Sequence, residues 1–503
     1  MKNLAHQNIL VLGLGASGLA LARWGSRCGA NVTVADTRPA PPQLAGLHNS
    51  VPTAIFVHAA MDEALLAGAE FNLVLKSPGL SPASISGVIT AAQAQGITCG
   101  NELSLFAQAL TDLKEERAYT PKVIGITGTN GKTTVTSLAG QLIQRAGKSV
   151  AVAGNIGPTL LDTLSEMLDR HSNDETAGLP EVWVLELSSF QLDGVSNFEP
   201  DVATVLNVTQ DHLDWHETLP AYSVAKANVY GRGGLMLLNR DDPLVMEALP
   251  AAVKGKPTRS YFTFGSDEPK LPGDYGIETV NGMAWLVRAA DADEPPKRRR
   301  TETLELHIQR LMPLEALRIQ GRHNATNALA ALGLAVAVGS PLAPMLHGLR
   351  EYRGEPHRVE SVAVLDGVEY FDDSKGTNVG ATVAALAGLG AERKLVLILG
   401  GEGKGQDFLP LVGPVSRYAR AVVLIGRDAP LITAALQGTQ VELLQASSMQ
   451  HAVCIASAQA QPGDAVLMSP ACASFDMFGN YQHRAQVFCD AVQELAVEKG
   501  AVL

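Results

Sequence analysis

The segment Val123–Leu138, VIGITGTNGKTTVTSL, constrains this chain more than any other. Small β-branched and apolar residues run into Gly-Thr-Asn-Gly-Lys-Thr-Thr, and a helical pattern follows. A buried strand, a glycine turn and a helix N-terminus make an anion site, because backbone N–H groups turn inward and the helix adds its positive end. The candidate phosphate-binding residues are therefore Gly128, Thr129, Asn130, Gly131, Lys132, Thr133 and Thr134. Lys132 supplies a point charge for outer phosphates, and the Thr133 hydroxyl suits Mg²⁺. The spacing departs from the strict phosphate-loop signature. Ile126 stands where that signature has its first glycine, between Gly125 and Gly128.

One such unit does not fill 503 residues. At about 150 residues per domain the length implies about three domains. The first, residues 1–118, opens with NILVLGLGASGLALARWGSRCGANVTVADTR. That reads as strand, Gly-x-Gly-x-x-Gly turn, helix and a second strand ending at Asp36, a dinucleotide-type beginning. NAD, FAD or another nucleotide fits it equally well, and no hydride-acceptor site is evident nearby. The stretch TDLKEERAYTP, 111–121, reads as a linker.

Residues 119–355 alternate strand-like runs (KSVAVAG, EVWVLELSS, DVATVLNVT) with helical ones, which predicts a parallel sheet with loops at the strand C-terminal ends. Two polar stretches, 169–180 and 265–303, read as surface insertions, and the Lys297–Arg300 run as a solvated loop. Residues 356–503 repeat the rhythm, with strands at VEYFDD, KLVLILGG, AVVLIG and DAVLMSP. The expected fold is α/β in three domains: a Rossmann-like first domain, a central ATPase-type phosphate-loop domain and a Rossmann-like C-terminal domain.

Composition narrows the function. A formal net charge of −12 argues against a nucleic-acid partner, which needs a basic face. The five cysteines form no Cys-x-x-Cys pair, so neither a zinc site nor a disulfide framework is indicated. The N-terminus shows no signal-peptide pattern. No apolar run reaches the ~18 residues that span a bilayer. The expectation is a cytoplasmic, soluble enzyme of small molecules.

Further chemistry-bearing residues follow strands. Glu186 ends an apolar run, where an unpaired carboxylate is expensive to bury unless a metal meets it. His212 follows the next strand, in NVTQDHLDWH. Lys226, in YSVAKANVYG, reads on its own as a solvated helical lysine. Lys375 and Thr377 in YFDDSKGTN, and Lys404 in LGGEGKG, lie in turns suited to carboxylates or phosphates.

Taken in order, GITGTNGKTT, GNIG, ELSSFQL, NVTQDHLD, GRHNATNALAA, HRVE, DDSKGTN, LGGEGK and SPACASFDMF resemble the Mur ligases of peptidoglycan synthesis across the whole chain. The last domain is most similar to the D-glutamate-adding members. It lacks the Asp-Asn-Pro-Arg stretch of the diaminopimelate-adding ones. Another Mur-type or folylpolyglutamate-type amino-acid ligase is the alternative.

The resemblance implies ATP-dependent addition of D-glutamate to UDP-N-acetylmuramoyl-L-alanine through an acyl phosphate. It implies two Mg²⁺, held by Thr133, Glu186, His212 and a carbamylated Lys226, with Lys132, Glu186, His212 and Lys226 catalytic. It turns the first domain from a dinucleotide to a UDP site, with Leu14, Ser17, Asp36, Thr37, Arg38, Ser77, Pro78 and Gly79 as contacts. Asn155 matches a substrate contact, and Asn324, Asn327, His357 and Arg358 match nucleotide contacts. Lys375, Thr377, Lys404, Ser474 and Phe475 match the amino-acid site. Phe475 and Tyr481 replace an expected leucine and phenylalanine but keep an apolar wall. A monomer whose C-terminal domain closes before chemistry is expected.

Overall fold

The computed structural model of the chain describes residues 4–68, 70–174, 178–253, 256–290, 306–319, 321–391 and 393–500. Three sheets organise it. The first is five-stranded and all parallel, in the spatial order Ile55–His58, Asn31–Asp36, Asn8–Leu12, Leu73–Lys76, Thr98–Asn101. Strand order reverses beside Asn8–Leu12, and such a reversal opens a crevice at the strand C-terminal ends.

The central sheet has nine strands. The phosphate-loop strand Lys122–Thr127 lies between Val182–Glu186 and Val202–Val205, in register Ile126 with Glu186 and Thr127 with Val205. Val150–Gly154 closes one edge. Leu235–Asn239 and Tyr261–Phe264 continue the parallel array on the other side. Beyond them Tyr275–Val280, Met283–Ala290 and His307–Pro313 pair antiparallel. The C-terminal sheet has six strands, with Val368–Asp372, Ala465–Met468 and Leu395–Gly400 adjacent and parallel.

Two expectations change. Thr111–Arg117 is not a linker but the end of the helix Glu102–Arg117. Leu113 is buried within it while the charged residues face water, so the charges mark a helix surface. Within the stretch expected as an insertion, 275–290 builds two strands of the central sheet. Tyr275, Ile277, Leu286 and Val287 are buried there. Residues 169–173 end the helix Leu160–Asn173. Residues 175–177 and the Lys297–Arg300 run lie outside the described residues.

The apolar cores divide unevenly. One cluster joins Trp24, Leu103 and Phe106 of the first domain to Leu160, Trp183 and Leu192 of the central one. Phe106 and Trp183 meet edge to face at 5.1 Å. The C-terminal domain has two clusters of its own, one on each sheet face. Among the described residues no buried apolar cluster bridges it to the rest, and no helix is long and apolar enough to cross a membrane.

Candidate active site

The phosphate loop joins its strand to the helix Lys132–Arg145 through Gly131, which adopts φ 82°. An asparagine packs there: a Cβ on Gly131 would lie 2.7 Å from Asn327 Oδ1, so only glycine fits. Asn327 Nδ2 also donates to Asn324 Oδ1 at 3.2 Å. Both asparagines sit on the helix Arg322–Ala337.

Not every loop amide faces inward as expected. Thr129 N donates to the Asn207 carbonyl at 2.9 Å, and Asn130 N to Asn207 Oδ1 at 2.8 Å. Asn207 Nδ2 returns a bond to the Asn130 carbonyl at 3.1 Å. Asn207 thus clamps the loop from the neighbouring strand end. The anion cradle falls to the first-turn amides Lys132–Thr134, which have no intrahelical partner.

Two lysines converge on one acceptor. Lys132 Nζ donates to the Gly128 carbonyl at 2.8 Å and to that of Thr129 at 2.9 Å. Lys226 Nζ donates to the same Gly128 carbonyl at 2.9 Å. Lys226 is 1% exposed and lies 4.3 Å from the Tyr222 ring centroid. Burial drives its pKa well below the ordinary lysine value, the Lys132 charge adds to this, and Asp211 and Glu186 oppose it. Burial also lowers Lys132, against the same two carboxylates.

Glu186 is 1% exposed at its strand end. Asn155 Nδ2 donates to Oε1 at 2.9 Å. Oε2 has no hydrogen-bond partner. A buried, unpaired carboxylate oxygen beside a phosphate loop suits a hard cation. His212 adopts φ 54°, its ring meeting Phe190 edge to face at 4.7 Å, with Nε2 3.6 Å from Asp211 Oδ2. Burial lowers its pKa, Asp211 opposes, and Lys132, Lys404 and Lys226 reinforce. A neutral imidazole is the ligating form. Glu186 and His212 are donors of the kind a divalent ion takes, and so is the Thr133 hydroxyl, which here accepts from Arg358. A second metal-compatible trio, His357, Glu360 and Asp372, is internally satisfied: His357 Nδ1 bonds Asp372 at 2.7 Å and His357 N donates to Glu360 at 2.9 Å.

At the first sheet's reversal, Ser77 Oγ donates to the Gly13 carbonyl at 2.8 Å, joining the Ser77–Gly79 loop to the turn of Leu14 and Ser17. Leu14 N donates to Asp36 at 2.7 Å. Arg38 donates to the same carboxylate through N, Nε and Nη2 at 2.9, 2.8 and 2.8 Å. The Arg38 bond holds Asp36 down at about 2. Asp36 thus fixes Arg38 and the turn, with Thr37 between them.

The C-terminal domain faces this edge. Arg358 Nη2 donates to Thr133 Oγ1 at 2.8 Å. Lys375 lies 5.3 Å from the Tyr481 ring, and burial, with Arg358 nearby, lowers it to about 8. Lys404 is exposed in a turn at φ 51°. Ser474 is buried, and Phe475 is 66% exposed. Buried Arg484 donates to the carbonyls of Cys472 and Ser374 at 3.0 and 2.8 Å, tying together the loops that carry Ser474 and Lys375.

Family models match in the same order as the three sheets. The Mur ligase MurD-like N-terminal domain matches residues 7–100, the Mur ligase middle domain 126–335, and the Mur ligase glutamate ligase domain 357–472. The chain is 65% identical over 506 residues to the UDP-N-acetylmuramoylalanine–D-glutamate ligase of Albidiferax ferrireducens, covering 100% of this chain and 99% of that one. It is 56% identical to the ligase of the same name from Burkholderia thailandensis, covering 98% of each. The chain belongs to the Mur ligase family.

Solved Mur ligases share the fold. MurF from Acinetobacter baumannii aligns with a TM-score of 0.57 at 17% identity, covering 98% of this chain and 93% of that one. MurC from Thermotoga maritima gives 0.53 at 20% identity, covering 97% and 100%. Within this Mur ligase, sequence reasoning missed Asn207, Asp211, Asn378 and Arg484. Asn207, Asp211 and Asn378 stood in the quoted motifs NVTQDHLD and DDSKGTN. Their partners, and the Cys472 and Ser374 carbonyls that Arg484 meets, are distant in sequence, which spacing does not encode.

Proposed function

We propose that this Mur ligase joins D-glutamate to UDP-N-acetylmuramoyl-L-alanine in peptidoglycan precursor synthesis, with ATP as phosphoryl donor. One observation carries the reading: Lys132, the unpaired Glu186 oxygen and the deeply buried Lys226 meet at one strand edge, with Lys375 of the C-terminal domain facing them. The identity of 65% to a D-glutamate ligase supports the choice of amino acid. Residues 1–118 take the UDP moiety, 119–355 the ATP, and 356–503 the amino acid. Work on ATP and a UDP-sugar suits a cytoplasmic enzyme, and we assign it as a monomer.

The alanine carboxylate is a poor electrophile. Its oxygen takes the γ-phosphoryl group, giving an acyl phosphate and ADP. The amine of D-glutamate then attacks the carbonyl carbon, the C–N bond forms, and phosphate leaves as the amine gives up its proton. Phosphoryl transfer of this kind is governed by positioning and charge stabilisation. Lys132 and the amides Lys132–Thr134 hold the outer phosphates. Asn324 and Asn327 hold the nucleotide side. Asn155 orients Glu186.

Thr133, Glu186 and His212 would hold Mg²⁺, two ions in all with a modified Lys226, and bound Mg²⁺ neutralises charge on the transferring group. Burial favours the unprotonated amine of Lys226, and that amine adds to CO₂: an N–C bond forms, one proton leaves to solvent, and a carbamate anion results. An anion then stands beside Gly128 where a second cation next to Lys132 would be disfavoured.

A phosphate-release assay tests the reading, with UDP-N-acetylmuramoyl-L-alanine, ATP and each candidate amino acid in turn. Product is expected with D-glutamate and none with L-glutamate. Equal use of both rejects the assignment.

A further inference from the structure

The C-terminal domain shares no buried apolar cluster with the rest among the described residues. It meets the central domain where Gly388 lies close to Gly321 and His323, and through polar side chains. Arg358 bonds Thr133, and Asn378 is bonded more densely. It is 4% exposed and lies between Thr377 and the helix Val379–Leu389. Its Oδ1 accepts from Ala381 N at 2.8 Å, capping that helix, and from Asn130 Nδ2 at 3.3 Å. Its Nδ2 donates to Asn130 Oδ1 at 3.1 Å and to Asp211 Oδ2 at 3.3 Å. The amide has two acceptor positions and two N–H groups, and all four are used.

What lies opposite matters. The Asn130 backbone is fixed by Asn207 at both its N–H and its carbonyl. Its side chain therefore reports where the phosphate loop sits. Asp211 reaches Lys132 and Lys226 electrostatically. The Gly380 backbone also comes close to two of these side chains: a Cβ on Gly380 would lie 2.7 Å from Thr209 Oγ1 and 3.2 Å from Asn130 Nδ2. On the C-terminal side, Lys375 and Thr377 sit three residues and one residue before Asn378, in the same turn. A shift of the loop apex is thereby passed to the turn that holds the amino acid.

We propose that Asn378 is a positioning residue that couples nucleotide binding in the phosphate loop to assembly of the amino-acid site, so that the amino acid is held tightly only after ATP. The proposal rests on the ligase reading above. A ligand shifts such an equilibrium only by its differential affinity for the two arrangements. The contacts from Asn378 to Asn130 and Asp211 exist in the docked arrangement alone.

Two variants separate coupling from capping. Asn378→Ser keeps an N-cap acceptor but is too short to reach Asn130. Asn378→Asp keeps length and cap but loses both N–H donors and faces Asp211. Two readouts are compared with the wild type. The first is the KM for D-glutamate at saturating ATP, alongside the Kd for D-glutamate without nucleotide. The second is the radius of gyration by small-angle X-ray scattering, with and without a non-hydrolysable ATP analogue. In both variants the D-glutamate KM is expected to rise about tenfold or more, while the Kd for D-glutamate without nucleotide stays within about twofold of the wild type. The analogue is expected to compact the wild type and neither variant.

An unchanged D-glutamate KM in both variants overturns the proposal. So does an equal loss of D-glutamate affinity without nucleotide, or compaction that is the same in all three proteins or absent from the wild type. The scattering arm uses only the nucleotide analogue. If wild type fails to use D-glutamate, the ligase assignment falls while the coupling is still decided.

Discussion

Burial acts on Lys226 and Glu102 in opposite directions of charge. In both it disfavours the ionised form. For Lys226 burial favours the neutral amine, the form that reacts with CO₂. Lys226→Ala is expected to lose about 10²–10³ in turnover, the scale of one charge-stabilising group, and to regain part of it with added short carboxylic acids. Full unaided activity in a turnover assay would remove the carbamate.

Glu102, 1% exposed, accepts from Leu161 N at 3.1 Å, across the boundary between the first and central domains. Burial raises its pKa to about 7, against bonds from Leu161 and Ser17, and Asp162 adds to the rise. The folded chain then holds a proton that the unfolded chain releases near 4.5. The stability Glu102 contributes is complete below that value and is lost as pH climbs to about 7, by about 3 kcal/mol. Unfolding midpoints of Glu102→Gln and wild type should therefore diverge between pH 5 and 7, with the glutamine variant gaining. Parallel curves across that range would refute the shift.

At the scale of elements, the first turn shows how a short motif fixes a site. Ala16–Arg27 packs so closely on the turn that a Cβ on Gly18 would lie 2.0 Å from the Gly13 carbonyl oxygen. Gly18→Ala must push the helix away and displace Leu14 and Ser17. The KM for the UDP substrate should rise about tenfold or more while the KM for ATP stays put, as steady-state kinetics will show. An unchanged UDP-substrate KM would place that substrate elsewhere.

Local devices of this sort were legible in the sequence: the two glycine turns, the alternating strands and helices, and Glu186 at a strand end. Charge-rich stretches misled. TDLKEER is amphipathic rather than loose, and Leu113 was the only sign of its buried side. Residues 275–290 looked like an insertion because a half-exposed antiparallel strand alternates polar with apolar residues. Asn207 and Asn378 were invisible for a different reason. An asparagine says nothing about its partner until the fold supplies one, and these partners lie 77 and 248 residues away.

For the whole molecule, the division of apolar cores decides what can move. The first and central domains bury Leu103, Phe106 and Trp183 in one cluster and add polar ties, Lys76 to Asp193 at 2.5 Å and Asn101 Nδ2 to the Gln191 carbonyl at 2.9 Å. Separating them would expose large aromatic and aliphatic area, at about 25 cal/mol per Å². The C-terminal domain meets them through Arg358, Asn378 and close approaches at Gly380 and Gly388, and the polar contacts among these break and reform readily because water replaces them. A closing motion of the kind proposed is therefore expected to swing residues 356–503 against a fixed pair and to exclude water from the acyl phosphate. The same partition governs excised pieces. A fragment of residues 356–503 keeps both of its cores and should unfold cooperatively with little dye binding. A fragment of residues 1–118 bares Trp24, Leu103 and Phe106, so it should bind a hydrophobic dye and melt broadly. Calorimetry and dye fluorescence on the two fragments decide it. A sharp transition and a dry surface in 1–118 would mean that the first domain, not the last, is free to move.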